Sequence, residues 1–136
     1  IKIIELIKKI NNNKIILMDS QPFPELIKKI LNSAVVVVPS LTEGFGFTAA
    51  ESSALGKPVL ATSAGSLPEV IKHNNTGIIV RSNSINSLCK GMEKILNKKL
   101  RSKFAANGPK YVKKFNYKKT LKEHGKIYGE IIKNAN

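Results

Sequence analysis

An α/β fold with a parallel sheet flanked by helices is the architecture this sequence predicts, and three observations carry it. Four short apolar runs rich in β-branched residues read as buried strands: KIILM (14–18), VVVV (35–38), PVLAT (58–62) and GIIV (77–80). Helical periodicity fills each gap between them, which makes the chain a series of βαβ units. After Leu96 the pattern is helical only, so an all-helical segment should close the chain.

The opening IKIIELIKKI is amphipathic, with Ile3, Leu6, Ile7 and Ile10 on one face, and the chain reads as beginning partway through something larger. PFPELIKKILNSA has Pro24 where a first helical turn tolerates it, Glu25 near the positive dipole end, and Leu26, Ile27, Ile30 and Leu31 on one side. FTAAESSALG stops at Gly56, a C′ glycine. SLPEVIKHNN is a short helix started by Ser66, with Pro68 in its first turn. NSINSLCKGMEKIL takes Asn83 as its cap and should bury Ile85, Leu88, Met92, Ile95 and Leu96. A break is expected at Gly108–Pro109, and a last helix from about 117 to 132.

The 136 residues fit a single domain with its own core. One cysteine, Cys89, excludes an internal disulfide, and His73 and His124 lie too far apart for the usual metal-ligand spacing, so no metal site is expected. The longest strongly apolar run, 34–38, is far shorter than the ~20 residues that span a bilayer. No signal-peptide pattern opens the sequence, and a reducing, cytoplasmic setting is the expectation. The net charge of +14, from 23 basic and 9 acidic residues, points first to nucleic acid or an acidic membrane. Only two of the basic residues are arginine, which phosphate-reading surfaces favour, and the joint excess of lysine, asparagine and isoleucine is the bias of a genome poor in G and C. Nucleic acid is therefore not an expected partner. Residues 90–136 hold 14 basic and 3 acidic residues, in the first place a solvated helical face and in the second a peripheral contact with anionic lipid at the inner face of a membrane.

The chemistry concentrates in EGFGFTAAE, Glu43 to Glu51. VVVV ends at Pro39, so this segment lies at the carboxyl edge of the sheet, where ligands of open α/β sheets bind. Gly44 and Gly46 allow main-chain N–H groups to approach an oxygen closely, and the first turn of the following helix adds unpaired N–H groups aimed at the same spot. An anion belongs there. Gly44-x-Gly46-x-x-Ala49 also fits the loose dinucleotide fingerprint, but 39–43 intervene between strand and glycine, and the next strand ends at Ser63 rather than at an acid for a ribose. A carboxylate is acceptor-only and suits a vicinal diol, so one acid on each side of the anion fits a sugar–diphosphate–nucleoside. The spacing is satisfied equally by a solvated loop acid and a helix-face acid.

The run PSLTEGFGFTAAESSALGKPVLATSAGSLPEVIKHNNTGIIV, 39–80, resembles the E-x7-E region of the retaining glycosyltransferases with the GT-B fold, the large group 1 (family 4) set. The likeness combines PS before the first acid, E-x7-E, GKPV, PEV and TGIIV in order, and a weaker one covers nearly the whole chain. It implies most of the Rossmann-like C-terminal half of such an enzyme: a partial donor-binding domain over 1–136, with the N-terminal acceptor domain absent and the isolated chain inactive. By that resemblance Glu43 lies at the transferred sugar as the catalytic-site acid, Glu51 holds the ribose, and Gly44, Phe45, Gly46, Phe47 and Thr48 bind sugar hydroxyls and diphosphate. The segment from Asp19 through Ser20 to Gln21 meets the base largely through its backbone. The implied donor is an NDP-sugar, with no cofactor or required metal, and the implied product a cell-envelope polysaccharide or glycolipid. Ser63 and Ser66 stand where relatives often carry an aspartate and a second glycine.

Overall fold

The structure, a computed structural model, describes residues 15–135. The amphipathic opening and Lys14 lie outside the described residues. Strands β1 (Val36–Val38), β2 (Val59–Thr62) and β3 (Gly77–Val80) form a parallel sheet in the order β1-β2-β3, with Val37 opposite Leu60 and Leu60 opposite Ile78. Around it run α1 (Phe23–Asn32), α2 (Phe47–Ala54), α3 (Leu67–Val70), α4 (Ile85–Ile95), α5 (Lys98–Val112) and α6 (Tyr117–Asn134).

The central strand explains the core. All four residues of β2 are buried, as a strand covered on both faces requires. Val59 and Ala61 pack with Val38, Ala49, Leu67, Val70 and Ile71 beneath α2 and α3. Leu60 points to the opposite face and joins Ile78, Ile95 and Phe104. Period-two alternation along one strand thus divides the apolar residues into two cores.

Three of the four expected strands stand, and the first does not. Residues 15–18 form no strand and are exposed, Ile16 to 75%. An apolar run buries itself only against a neighbour, and β1 pairs with β2 alone among the described residues.

Helix α4 departs from expectation in its cap and its face. Ser84, in extended conformation, is the cap and its Oγ accepts from the Ser87 N–H at 3.2 Å, whereas Asn83 takes a left-handed turn at φ 53° that asparagine tolerates. Ile85 is 83% exposed, and Met92 and Leu96 also face outward. The reason is Gly91: a Cβ there would lie 2.7 Å from Val80 Cγ1 and 2.8 Å from Leu60 Cδ1. The backbone touches the sheet at that point, so the inward stripe centres on Leu88, Gly91 and Ile95 and turns 85, 92 and 96 away.

Helix α5 runs through Gly108–Pro109 without breaking. An interior proline costs a helix about 3 kcal/mol. Here Phe104 is anchored in the core and Gly108 lies against Ser53 of α2, where a Cβ would come within 2.8 Å of its carbonyl oxygen, so the packing of the turns that lead into the proline offsets that cost. The break falls later, at the 3-10 turn Lys113–Phe115, and Asn116 caps α6 by accepting from the Lys118 N–H at 2.9 Å. α5 crosses near the amino ends of the strands, where Lys103 donates to the Asn74 carbonyl and Asn107 to that of Asn75. The carboxyl edge is left to the loops that carry the site.

Candidate functional site

The chain leaves β1 at Val38, passes through 39–46 and enters α2. Gly46 caps α2 in the left-handed region, φ 87°, and a Cβ on it would lie 2.8 Å from Leu67 Cδ2. Gly65, φ 50°, is tighter: a Cβ there would lie 1.8 Å from the Glu43 carbonyl oxygen. Two glycines therefore let the Glu43–Gly46 turn and the start of α3 come into backbone contact. The first helical bond of α2 runs from the Ala50 N–H to the Gly46 carbonyl at 3.0 Å, which leaves the N–H groups of Phe47, Thr48 and Ala49 without intrahelical acceptors. With the helix dipole, those donors make an anion-accepting end.

Glu43 is half-buried in the loop, and its Oε2 accepts from Ser40 Oγ at 3.0 Å. Ser40 is braced in turn, since its carbonyl accepts from Thr62 Oγ1 at 2.6 Å at the buried end of β2. Glu51 is half-buried on α2. The ion pairs among the described residues are Lys28–Glu25 and Lys119–Glu123, both exposed, so neither acid of the turn is spent on a cation. Each keeps lone pairs for a hydroxyl donor.

Behind the turn stands Ser66. It occupies the N-cap position of α3, as its sequence predicts, but its hydroxyl makes no cap bond. It reaches instead to the carbonyl oxygens of Gly44, at 2.5 Å, and Phe45, at 2.8 Å. Ser63 is also engaged, with its Oγ accepting from the Ser82 N–H at 3.2 Å. The Phe45 ring lies 4.9 Å from that of Phe47 and 5.2 Å from that of Phe115, the latter edge-on. These contacts fix the turn from the side of the C-terminal segment. Phe45, Phe47, Phe115, Tyr117 and Leu121 line an apolar groove of about 380 Å³ there. A second cleft, about 480 Å³, opens over the strand ends between Leu41, Thr62 and Asn86.

Of the residues singled out in the sequence, Glu43, Gly44, Phe45, Gly46, Phe47, Thr48 and Glu51 form one continuous turn and helix start. Ser20 and Gln21 stand apart: Ser20 is exposed, the Gln21 amide donates to the Asp19 carbonyl at 2.9 Å, and no hydrogen bond joins either to the turn among the described residues. Sequence reasoning missed the supports Ser40, Thr62 and Phe115: Thr62 and Phe115 act across more than 20 residues, and Ser40, three residues from Glu43, is held in place by Thr62.

The sequence profile of the glycosyl transferases group 1 family matches residues 2–111. An uncharacterized glycosyltransferase of Methanocaldococcus jannaschii is 35% identical over 131 residues, which are 96% of this chain and 37% of that protein. A glycosyltransferase from Rickettsia africae superposes with a TM-score of 0.85 at 29% identity, over 98% of this chain and 36% of its own. Anabaena HepE, solved in complex with UDP and glucose, shares the fold with a TM-score of 0.83 at 16% identity, over 95% of this chain and 36% of its own. The chain thus spans little more than a third of the length of these proteins. By the extent of the profile match and by the parallel sheet it shares with these GT-B neighbours, the chain belongs to the group 1 glycosyl transferases.

Proposed function

We propose that this chain is the nucleotide-sugar-binding half of a retaining glycosyltransferase that moves a hexose from an NDP-sugar to a glycan or lipid-linked acceptor of the cell envelope, on the cytoplasmic side. The observation that carries the reading is the pair Glu43 and Glu51, both half-buried and neither paired with a cation among the described residues, flanking a glycine turn whose helix start is rich in N–H groups without intrahelical acceptors. Glu43 positions the transferred sugar, Glu51 accepts hydrogen bonds from the ribose diol, and the amides of 44–48 hold the diphosphate. Main-chain atoms around Ser20 and Gln21 meet the base. The reaction needs no metal or cofactor in this scheme. The acceptor is held by a domain or subunit outside these 136 residues, and the chain alone does not turn over.

Glu51→Ala is expected to weaken NDP-sugar binding by about 1.5–3 kcal/mol, tenfold to a hundredfold, because it strips hydrogen bonds to a charged acceptor. Calorimetric titration of both proteins with a panel of UDP-, GDP- and ADP-sugars measures it. Affinities unchanged by the substitution would remove Glu51 from the site.

A second reading is favoured by α6, which buries no residue and exposes Tyr117, Leu121, Tyr128 and Ile131 beside Lys118, Lys119, Lys122 and Lys126. An amphipathic basic helix of this kind suits an anionic lipid surface, on which it would accompany the transferase. Among the described residues no helix is long and apolar enough to cross a membrane. Sedimentation with phosphatidylglycerol liposomes should carry the chain down at low salt and release most of it at high salt. Liposomes that leave it in the supernatant at low salt exclude this contact.

A further inference from the structure

We infer that Ser66 is a positioning residue that turns the peptide groups of the glycine turn toward the donor diphosphate; the inference rests on the donor-site reading above. A trans peptide holds its C=O and the following N–H on opposite sides of one plane. The Ser66 hydroxyl draws the carbonyl oxygens of Gly44 and Phe45 to itself, at 2.5 and 2.8 Å. The N–H groups of Phe45 and Gly46 must then point the other way, and neither donates a hydrogen bond among the described residues. They are additional donors on the same short segment as the free N–H groups of Phe47, Thr48 and Ala49.

The support is rigid. Ser66 begins α3, whose N–H groups at Glu69 and Val70 bond to its carbonyl, and the next residue, Leu67, is wholly buried against Gly46. A hydroxyl carries one proton, so Ser66 serves the two carbonyls by sharing or alternating it, and both states leave the two N–H groups outward. Without Ser66 no hydrogen bond among the described residues orients the 44–45 and 45–46 peptide planes, and the flanking glycines allow them to turn carbonyl oxygens toward an anion. That would replace attraction by repulsion at the point where the phosphate charge sits.

The test compares Ser66→Ala and Ser66→Thr with the unsubstituted chain, each titrated with UDP, GDP and ADP and with the corresponding nucleosides. Ser66→Ala should lose about tenfold in affinity for the diphosphate that binds, leave nucleoside affinity unchanged, and shift the ¹⁵N resonances of Phe45 and Gly46. Ser66→Thr, which restores the hydroxyl, should recover most of the affinity and return those resonances. Equal losses for diphosphate and nucleoside, or losses that track a lowered melting temperature in both variants, would make Ser66 merely structural and overturn the inference. Unaltered diphosphate affinity in Ser66→Ala would overturn it while leaving the donor site standing. An unsubstituted chain that binds none of the three diphosphates would overturn the donor-site reading and this inference together.

Discussion

Gly65→Ala is expected to lower the stability of the domain by on the order of 3 kcal/mol and to abolish donor binding. Two effects add. An alanine at φ 50° gives up the freedom only glycine has in the left-handed region, which costs about 1 kcal/mol. The larger effect is steric: its Cβ would lie 1.8 Å from the Glu43 carbonyl oxygen, about half the separation of non-bonded heavy atoms. Backbone, not a flexible side chain, stands in the way, so the Glu43 segment or the start of α3 has to move. Either movement carries Ser66 away from Gly44 and Phe45 and disturbs the bond between Glu43 and Ser40. Equilibrium urea unfolding, with nucleotide-sugar titration on the folded protein, gives both quantities. A stability loss below about 1 kcal/mol would show that the strands and α3 do not hold the two segments in contact.

Phe104→Ala should cost about 3–5 kcal/mol, a large part of the 5–15 kcal/mol that a domain of this kind possesses. Phe104 is the largest fully buried side chain and packs with Leu60, Ile78 and Ile95 on the face of the sheet away from the glycine turn. It fastens α5 to the sheet, and α5 leads to Phe115 and so to Phe45. Phe104→Leu, which refills much of the cavity, should recover more than half of the loss. The same unfolding measurement checks both variants. Similar stability for Phe104→Ala and the unsubstituted chain would mean that α5 is not held by this core. The contrast with Gly65→Ala is useful: the folded fraction of Phe104→Ala should still bind donor, because the defect lies across the sheet from the ligand.

Much of this was legible in the residues. The three β-branched runs from Val35 onward gave β1, β2 and β3 to within a residue, and Gly56 stops the helix after the turn at φ 71°, as a C′ glycine does. EGFGFTAAE folds as one turn and helix start, because two glycines and a small-residue helix permit little else there. Burial was less legible. KIILM has the composition of a strand, and composition does not supply a neighbour. The inward face of α4 differs from its hydrophobic periodicity for a related reason: Gly91, which contributes nothing to that periodicity, decides where the helix touches the sheet.

By itself the sequence determined the alternation of strands and helices from Val35 onward, the place of the glycine turn, and the basic character of the C-terminal segment. Only the tertiary structure decided that Ser66 abandons its own helix for the carbonyls of the turn, that Ser40 and Thr62 brace Glu43, that Phe115 closes on Phe45, and that α5 survives its proline. The physical reason is range. Periodicity and turn chemistry are settled between residues two to four apart, whereas most of these contacts join residues separated by 21 to 70 positions in the chain, and they exist because the sheet brings those positions together.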